Sequence, residues 1–316
     1  MGPLSWFFAG LIALSAGVDR HVGIWHGAYA GDLPTGDPLA PVRAFEAQSG
    51  KGLAIVHSFV ALDDGFPTAA CEALRRHGSL PMVSVSPGNW SLEALARGDG
   101  DAAMQRFSRQ AAAWGHPFLL RWAWEMNGKS IPWSGIRNGG PGLGPARYVA
   151  AWRRFHRLSQ ETGLKAARWV WCVDAWGMGP GASWNHWSAY WPGDAYVDWL
   201  GIDAYRWPHT TDHPLLDLID GRLAGDFLST APTKCGGKPV LIGEVATSNQ
   251  DAGSAAWITA SFAALARQPT IAAVCWFNKN QDGVDWQLRK GTAATGAYRG
   301  AIAGSRFTSR FAVAER

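Results

Sequence analysis

From His21 onward, short apolar runs alternate with segments whose apolar residues recur at helical spacing. An apolar run of roughly four to eight residues bounded by turn residues marks a buried strand, and recurrence at i, i+3 and i+4 marks an amphipathic helix. Strands are predicted over His21–Gly27, Leu53–Val60, Leu80–Ser86 and Phe118–Gly128. Four more follow: Ala167–Val173, Tyr196–Ile202 running on to Tyr205, Lys238–Ser248 and Ile271–Phe277. The intervening helices are predicted over Leu39–Gln48, Thr68–His77, Asp101–Trp114, Pro145–Thr162, Leu215–Leu228, Ala255–Ala266 and Gly296–Ala303. Pro145 suits a first helical turn and Gly163 suits a helix stop.

Strands that alternate with helices in this way form a parallel sheet buried on both faces. Eight such units favour closure into a (β/α)₈ barrel, an α/β fold that commonly takes about 250 residues or more. We therefore read residues 18–316 as one barrel domain. The longer connections (129–144, 177–193, 206–213 and 278–286) are polar and rich in glycine and tryptophan. All four follow strand C-termini, the end of a barrel that carries the active site. Residues 1–17 stand apart. Their apolar run Leu4–Ala16 is shorter than the about 20 residues of a membrane span, so no transmembrane span is predicted. Small residues at its end suit a signal-peptide cleavage site, although a basic start is missing, and secreted or periplasmic localisation is the expectation. The alternative is an N-terminal helix covering the barrel bottom.

Composition changes this picture little. Hydrophobic residues make up 47% of the 316, enough for a large core, and the formal net charge is only +4. Basic residues are scattered, and Arg153, Arg154 and Arg157 read as the solvated face of one helix, so no nucleic-acid partner is expected. Cys71, Cys172, Cys235 and Cys275 have no metal-ligand spacing, and neither cofactor nor metal is expected. The 19 tryptophans point to carbohydrate, because indole packs well on flat apolar sugar faces, but core packing absorbs tryptophan too. The chain is read as a monomer acting on a polysaccharide or oligosaccharide.

Candidate chemistry centres on Glu125 and Glu244, which close two strand-like runs. By strand alternation Leu119, Arg121, Ala123 and Glu125 share one face. Two carboxyls at separate strand ends suit glycoside hydrolysis, which needs a proton for the departing oxygen and a carboxylate for the developing cationic carbon. The structural alternative is a rim of ion pairs. Asp203 lies on a face with Tyr205 and either pairs with Arg121 or meets substrate. Trp133, Trp176 and Trp207 follow strand ends and either stack on sugars or pack loops. Asp174, His26 and His57 also lie near strand ends, with structural roles as the plain alternative.

The segment Arg121-Trp-Ala-Trp-Glu125-Met-Asn-Gly128, followed by Trp133, resembles the strand-four signature of glycoside hydrolase family 26. The likeness extends to Val197–Tyr205, Lys238–Glu244, Trp276-Phe-Asn278 and Asp285-Trp286. It implies a (β/α)₈ barrel of retaining β-glycanases. It also implies that Glu125 is the general acid/base, Glu244 the nucleophile, Tyr205 a hydrogen-bond donor to Glu244, and Trp276 part of the floor under the scissile sugar. Trp124 and Asn127, which flank Glu125, join the candidate substrate contacts with Arg121, Trp133, Trp176 and Asp203. The chain departs from the family pattern at Trp124, where members usually carry histidine. β-Mannan is the default substrate by this resemblance, with mixed-linkage β-glucan, β-1,3-xylan and bacterial exopolysaccharide as alternatives. The rival reading is a non-catalytic carbohydrate-binding barrel associated with polysaccharide synthesis or export.

Overall fold

A computed structural model describes residues 23–177, 183–208, 213–220 and 226–311, so the N-terminal apolar run and its signal-peptide reading lie outside the described residues. Eight parallel strands follow one another around the sheet: β1 (Ile24–Tyr29), β2 (Ile55–Ala61), β3 (Leu80–Ser86), β4 (Phe118–Trp122), β5 (Ala167–Asp174), β6 (Trp199–Arg206), β7 (Val240–Thr247) and β8 (Ile271–Phe277). Residues 25–29 of β1 pair with residues 273–277 of β8, and this closes the barrel. A hairpin of β9 (Asn280–Gln281) and β10 (Val284–Asp285) follows β8, and β11 (Phe307–Thr308) adds to β1 in parallel.

The helices are α1 (Ala40–Ser49), α2 (Thr68–His77), α3 (Leu92–Arg97), α4 (Asp101–Trp114), α5 (Gly140–Glu161), α6 (Leu215–Asp220), α7 (Phe227–Lys234), α8 (Ser254–Leu265) and α9 (Ala293–Ile302). Several differ from the periodicity reading, and α9 begins three residues before the expected Gly296. The single helix expected over Leu215–Leu228 is replaced by α6 and α7. The short α3 was hidden because its six residues span under two turns; Ser91 caps it by accepting the Ala94 amide at 3.1 Å. Helix α5 begins at Gly140, so Pro141 takes the first-turn place and Pro145 lies inside the helix. No helix among the described residues is long and apolar enough to cross a membrane.

Strand alternation builds two layers. Trp25, Ile55, Met82, Leu119, Val170, Trp199 and Leu241 fill the barrel interior. Val56, Val83, Leu120, Trp171, Leu200, Ile242 and Val274 pack outward against the helices. The lower end of the interior is closed by Trp25, which stacks on Trp199 at 5.5 Å and meets Phe311 edge-on at 5.2 Å. Trp122, Trp152, Trp169 and Trp171 are buried in the outer layer, so much of the tryptophan content is core.

Candidate active site

Both glutamates are aimed by departures from regular strand geometry. Strand β4 ends at Trp122, and Ala123 and Glu125 then take positive φ angles of 43° and 57°. The alternation expected for Leu119, Arg121, Ala123 and Glu125 therefore stops after Arg121. Ala123 packs into the outer layer instead. Glu125 turns into the barrel mouth, held by its amide on Cys172 O at 2.8 Å and by Gly128 N–H on its own carbonyl at 2.8 Å. Left-handed backbone at a non-glycine residue is strained and collects at working sites.

Glu244 reaches the same mouth by a bulge. Ile202 pairs with Ile242, and the next pair is Asp203 with Glu244, so Gly243 is an extra residue in β7. Leu241 faces the interior and Val245 the helices; the extra residue lets Glu244 face inward between them. Only glycine suits the bulge. A Cβ at Gly243 would stand 2.6 Å from Asp203 Oδ1 and 2.8 Å from Arg121 Nη1.

Beneath the mouth lies a buried ionic network. Arg121, fully buried, donates from Nη1 to Asp203 Oδ2 at 2.8 Å and Oδ1 at 2.9 Å. Its Nη2 donates to Glu244 Oε1, and its Nε to Ser84 Oγ at 2.7 Å. The other oxygen of Glu244 accepts from the Tyr205 hydroxyl. The Cys172 thiol donates to Asp203 Oδ1 at 3.2 Å. Glu125, Asp203 and Glu244 each place a carboxyl oxygen within 4.8 Å of the other two. They are the one set among the described residues with the spacing to hold a cation; here Arg121 supplies the positive charge. Three carboxyls around one guanidinium do not all ionise easily. Burial first, then the charges of Asp203, Asp174 and Glu244, pushes Glu125 well above the usual carboxyl range. Burial pushes Asp203 up to about 8 against the pull of Arg121, and Asp174 up to about 6. Burial and the charge of Glu244 raise the Tyr205 hydroxyl, which stays a donor.

The cleft above this network has a volume of about 680 Å³. Tyr29, Phe59, Trp124 and Phe277 form one aromatic wall, and Trp176, Tyr205, Trp207 and Trp286 another. Glu125, Asp174 and Glu244 open between them. Of the sequence candidates, Trp124, Trp176, Trp207, Tyr205 and Asp174 thus line the cleft. Arg121 and Asp203 sit under it and act on it through Glu244.

Three expectations are corrected. Trp276 is not the floor: Cys275 faces the barrel interior, so alternation turns Trp276 to the helices, where its ring lies 4.9 Å from that of Tyr298. It reaches the cleft only through its N–H on Trp286 O at 3.2 Å, and the next inward residue, Phe277, lines the wall. Trp133 stands behind Trp124, bonding its carbonyl at 2.6 Å with ring centroids 4.7 Å apart. Asn127 is a buried staple, its amide bonding both backbone groups of Asp174 at 2.8 Å. His26 is structural too, bonding Gly52 O at 2.9 Å and the Tyr298 hydroxyl at 2.8 Å, with desolvation lowering its pKa to about 4. His57 is buried on Ser84 Oγ at 2.7 Å. The sequence reading missed Tyr29, Phe59 and Phe277. Their shared signal is an aromatic residue at the C-terminal end of a strand.

Comparison with known proteins bears on this geometry. Residues 102–219 match the family model described as Glycosyl hydrolase family 26. Over 301 residues the chain is 28% identical to Endoglucanase H of Acetivibrio thermocellus, an alignment covering 93% of this chain. The chain spans 32% of the length of that relative. Solved structures share its fold. An endo-β-1,4-mannanase double mutant from Cellulomonas fimi superposes with a TM-score of 0.73 at 18% identity, covering 97% of this chain and 76% of that one. A Bacillus subtilis mannanase gives 0.64 at 16% identity, covering 95% and 90%.

Proposed function

We propose that this barrel belongs to glycosyl hydrolase family 26 and is a retaining endo-β-glycanase. The observation that supports it most is the pairing of Glu125 and Glu244 across one cleft, with carboxyl oxygens within 4.8 Å. Retaining enzymes hold their two carboxyls about 5–5.5 Å apart, while inverting enzymes leave about 6.5–9.5 Å for a water. The two settings suit different steps. Glu125, whose proton is favoured by burial and surrounding negative charge, protonates the departing glycosidic oxygen. Glu244, both of whose oxygens accept hydrogen bonds, attacks the anomeric carbon as a carboxylate. Glu125, now ionised, takes a proton from water, and that water releases the sugar from Glu244.

The substrate is a β-linked glycan. The endoglucanase name of the aligned relative supports a glucan, and the mannanases among the fold neighbours support mannan. Trp124, in the aromatic wall beside Glu125, is the residue we expect to choose between them. The apolar run of residues 4–16 supports export of the chain, which N-terminal sequencing of protein recovered from culture medium would test.

The deciding experiment is a panel of mannan, glucomannan, mixed-linkage β-glucan and β-1,3-xylan, assayed for new reducing ends and for the anomer first released. We expect cleavage of one polymer with the β-anomer first, lost in Glu125→Gln. Release of the α-anomer would overturn retention. Saturable binding to a polymer with no cleavage of any would overturn the enzyme reading in favour of a binding barrel.

A further inference from the structure

One cleft carboxyl has no part in the two-glutamate cycle. Asp174 ends β5 and lines the cleft on the side of Gly128, three residues past Glu125. Its position is over-determined. Asn127 Oδ1 accepts from the Asp174 amide and Asn127 Nδ2 donates to the Asp174 carbonyl, each at 2.8 Å. Asn127 is fixed in turn by Asn185 Nδ2 on its carbonyl at 2.7 Å. One carboxyl oxygen, Oδ1, is committed to the Trp176 amide at 2.8 Å, and the Gly177 amide also faces the group. The other oxygen, Oδ2, accepts no side-chain hydrogen bond from the protein among the described residues. It borders Gly128, where a Cβ would stand 3.2 Å from it. The missing side chain at Gly128 keeps this oxygen open.

A turn cap needs one acceptor oxygen, and asparagine caps as well as aspartate. A half-used carboxylate, rigidly held at the wall of an open cleft, is free to take a partner that enters it. Rigid, pre-placed acceptors are what a sugar hydroxyl needs for oriented binding. We propose that Asp174 is a sugar-binding residue, accepting through Oδ2 a hydroxyl of the sugar that departs with the glycosidic oxygen. This rests on the reading of Glu125 as the acid that meets that oxygen, because Asp174 lies on the Glu125 side of the cleft. A second consequence follows from charge. The groups that face Glu125 are Asp174 from β5, Asp203 and Tyr205 from β6, Glu244 from β7 and Arg121 from β4; Lys129 acts on Asp174 from the loop after Gly128. Arg121 is engaged by Asp203 and Glu244, so the charge of Asp174 adds to the field that keeps a proton on Glu125.

Asp174→Asn separates this role from capping, since Oδ1 still accepts from Trp176 and only the open oxygen and the charge are lost. On the cleaved polymer, KM is expected to rise at least about 10-fold, in line with loss of a hydrogen bond to a charged group. On an aryl glycoside, whose leaving group carries no sugar, KM stays near the wild-type value. The alkaline limb of kcat/KM shifts to lower pH, because Glu125 loses its proton more readily without the neighbouring charge. Calorimetric titration with an oligosaccharide of the cleaved glycan shows weaker binding by the same factor. A variant with wild-type melting temperature, polymer KM, pH profile and oligosaccharide Kd would overturn the proposal and leave Asp174 a turn cap. If the wild-type protein binds the oligosaccharide but cleaves nothing, the enzyme reading fails separately. The titration then decides the sugar-binding role by itself, and an unchanged Kd in Asp174→Asn overturns it.

Discussion

The ends of β4 and β7 present the same side chain to the same cleft by opposite means. At β4 the backbone abandons the strand: two left-handed residues swing Glu125 inward, and its carboxyl sits among like charges. At β7 the strand continues, one residue is inserted, and Glu244 arrives with a guanidinium on one oxygen and a phenol on the other. In the proposed cycle, the strained end holds the group whose proton comes and goes. The bulged end holds the group that, in that cycle, stays an acceptor. Two carboxyls of one type thus sit in distinct surroundings, which is what separates their proposed roles.

The sharpest way to break this comparison is to remove each carboxyl in turn. Glu244→Gln is expected to abolish turnover of polymer and of activated aryl glycoside alike, by about 10⁴-fold or more, since no covalent intermediate forms. Glu125→Gln is expected to lose about 10²–10⁴-fold on polymer and far less on an aryl glycoside whose leaving group needs no proton. Rates on both substrates check this; equal losses on both in the Glu125 variant would erase the difference. The next effect is on the shared support. Arg121→Met leaves Asp203 and Glu244 buried without their cation, and unfolding in denaturant should show a loss of about 3–5 kcal/mol. Gly243→Ala puts a methyl group against Asp203 and Arg121, with an expected cost of about 1–3 kcal/mol and a drop in kcat. Tyr205→Phe removes one donor to Glu244 and should lower kcat about 10-fold with the melting temperature little changed.

The smallest expected effect is on stability at the strained end. Glu125 has a folded pKa above its unfolded value, so over that window the folded state holds a proton that the unfolded chain has released. Wild-type stability then falls as pH rises from about 4.3 toward the folded pKa. Glu125→Gln removes this dependence. Its melting temperature should exceed that of the wild type at neutral pH, and the gap should close as pH falls toward 4. Thermal scans across pH check the sign.

Fold and chemistry were legible to different depths. The bounds of β3, α2, α4 and β8 follow from apolar runs and helical spacing to the residue, because each is closed by a turn signal and packed on a single core. Glu125 and Glu244 stood out because a carboxyl at the end of an apolar run is costly unless it has a use. What misled was the assumption that alternation carries through to the strand end. It assigned Ala123 the wrong face; the place of Trp276 in the floor was implied by the family resemblance, and alternation from Cys275 turns it to the helices instead. Local pattern does not mark a bulge in advance; Gly243 in Ile-Gly-Glu reads as a plain strand glycine until Asp203 and Arg121 stand beside it.

By itself, then, the sequence determined the eight strand–helix units, the closed barrel and the two glutamates at its mouth, because periodicity and burial act over a few residues at a time. Only the tertiary structure decided which way each carboxyl points, that Arg121 joins Asp203 and Glu244, that Trp133 and Trp276 support other tryptophans, and that Asp174 keeps an open oxygen at the cleft. These depend on groups brought together from β4, β5, β6 and β7, far apart in the chain. Their charges and distances exist only once the barrel closes.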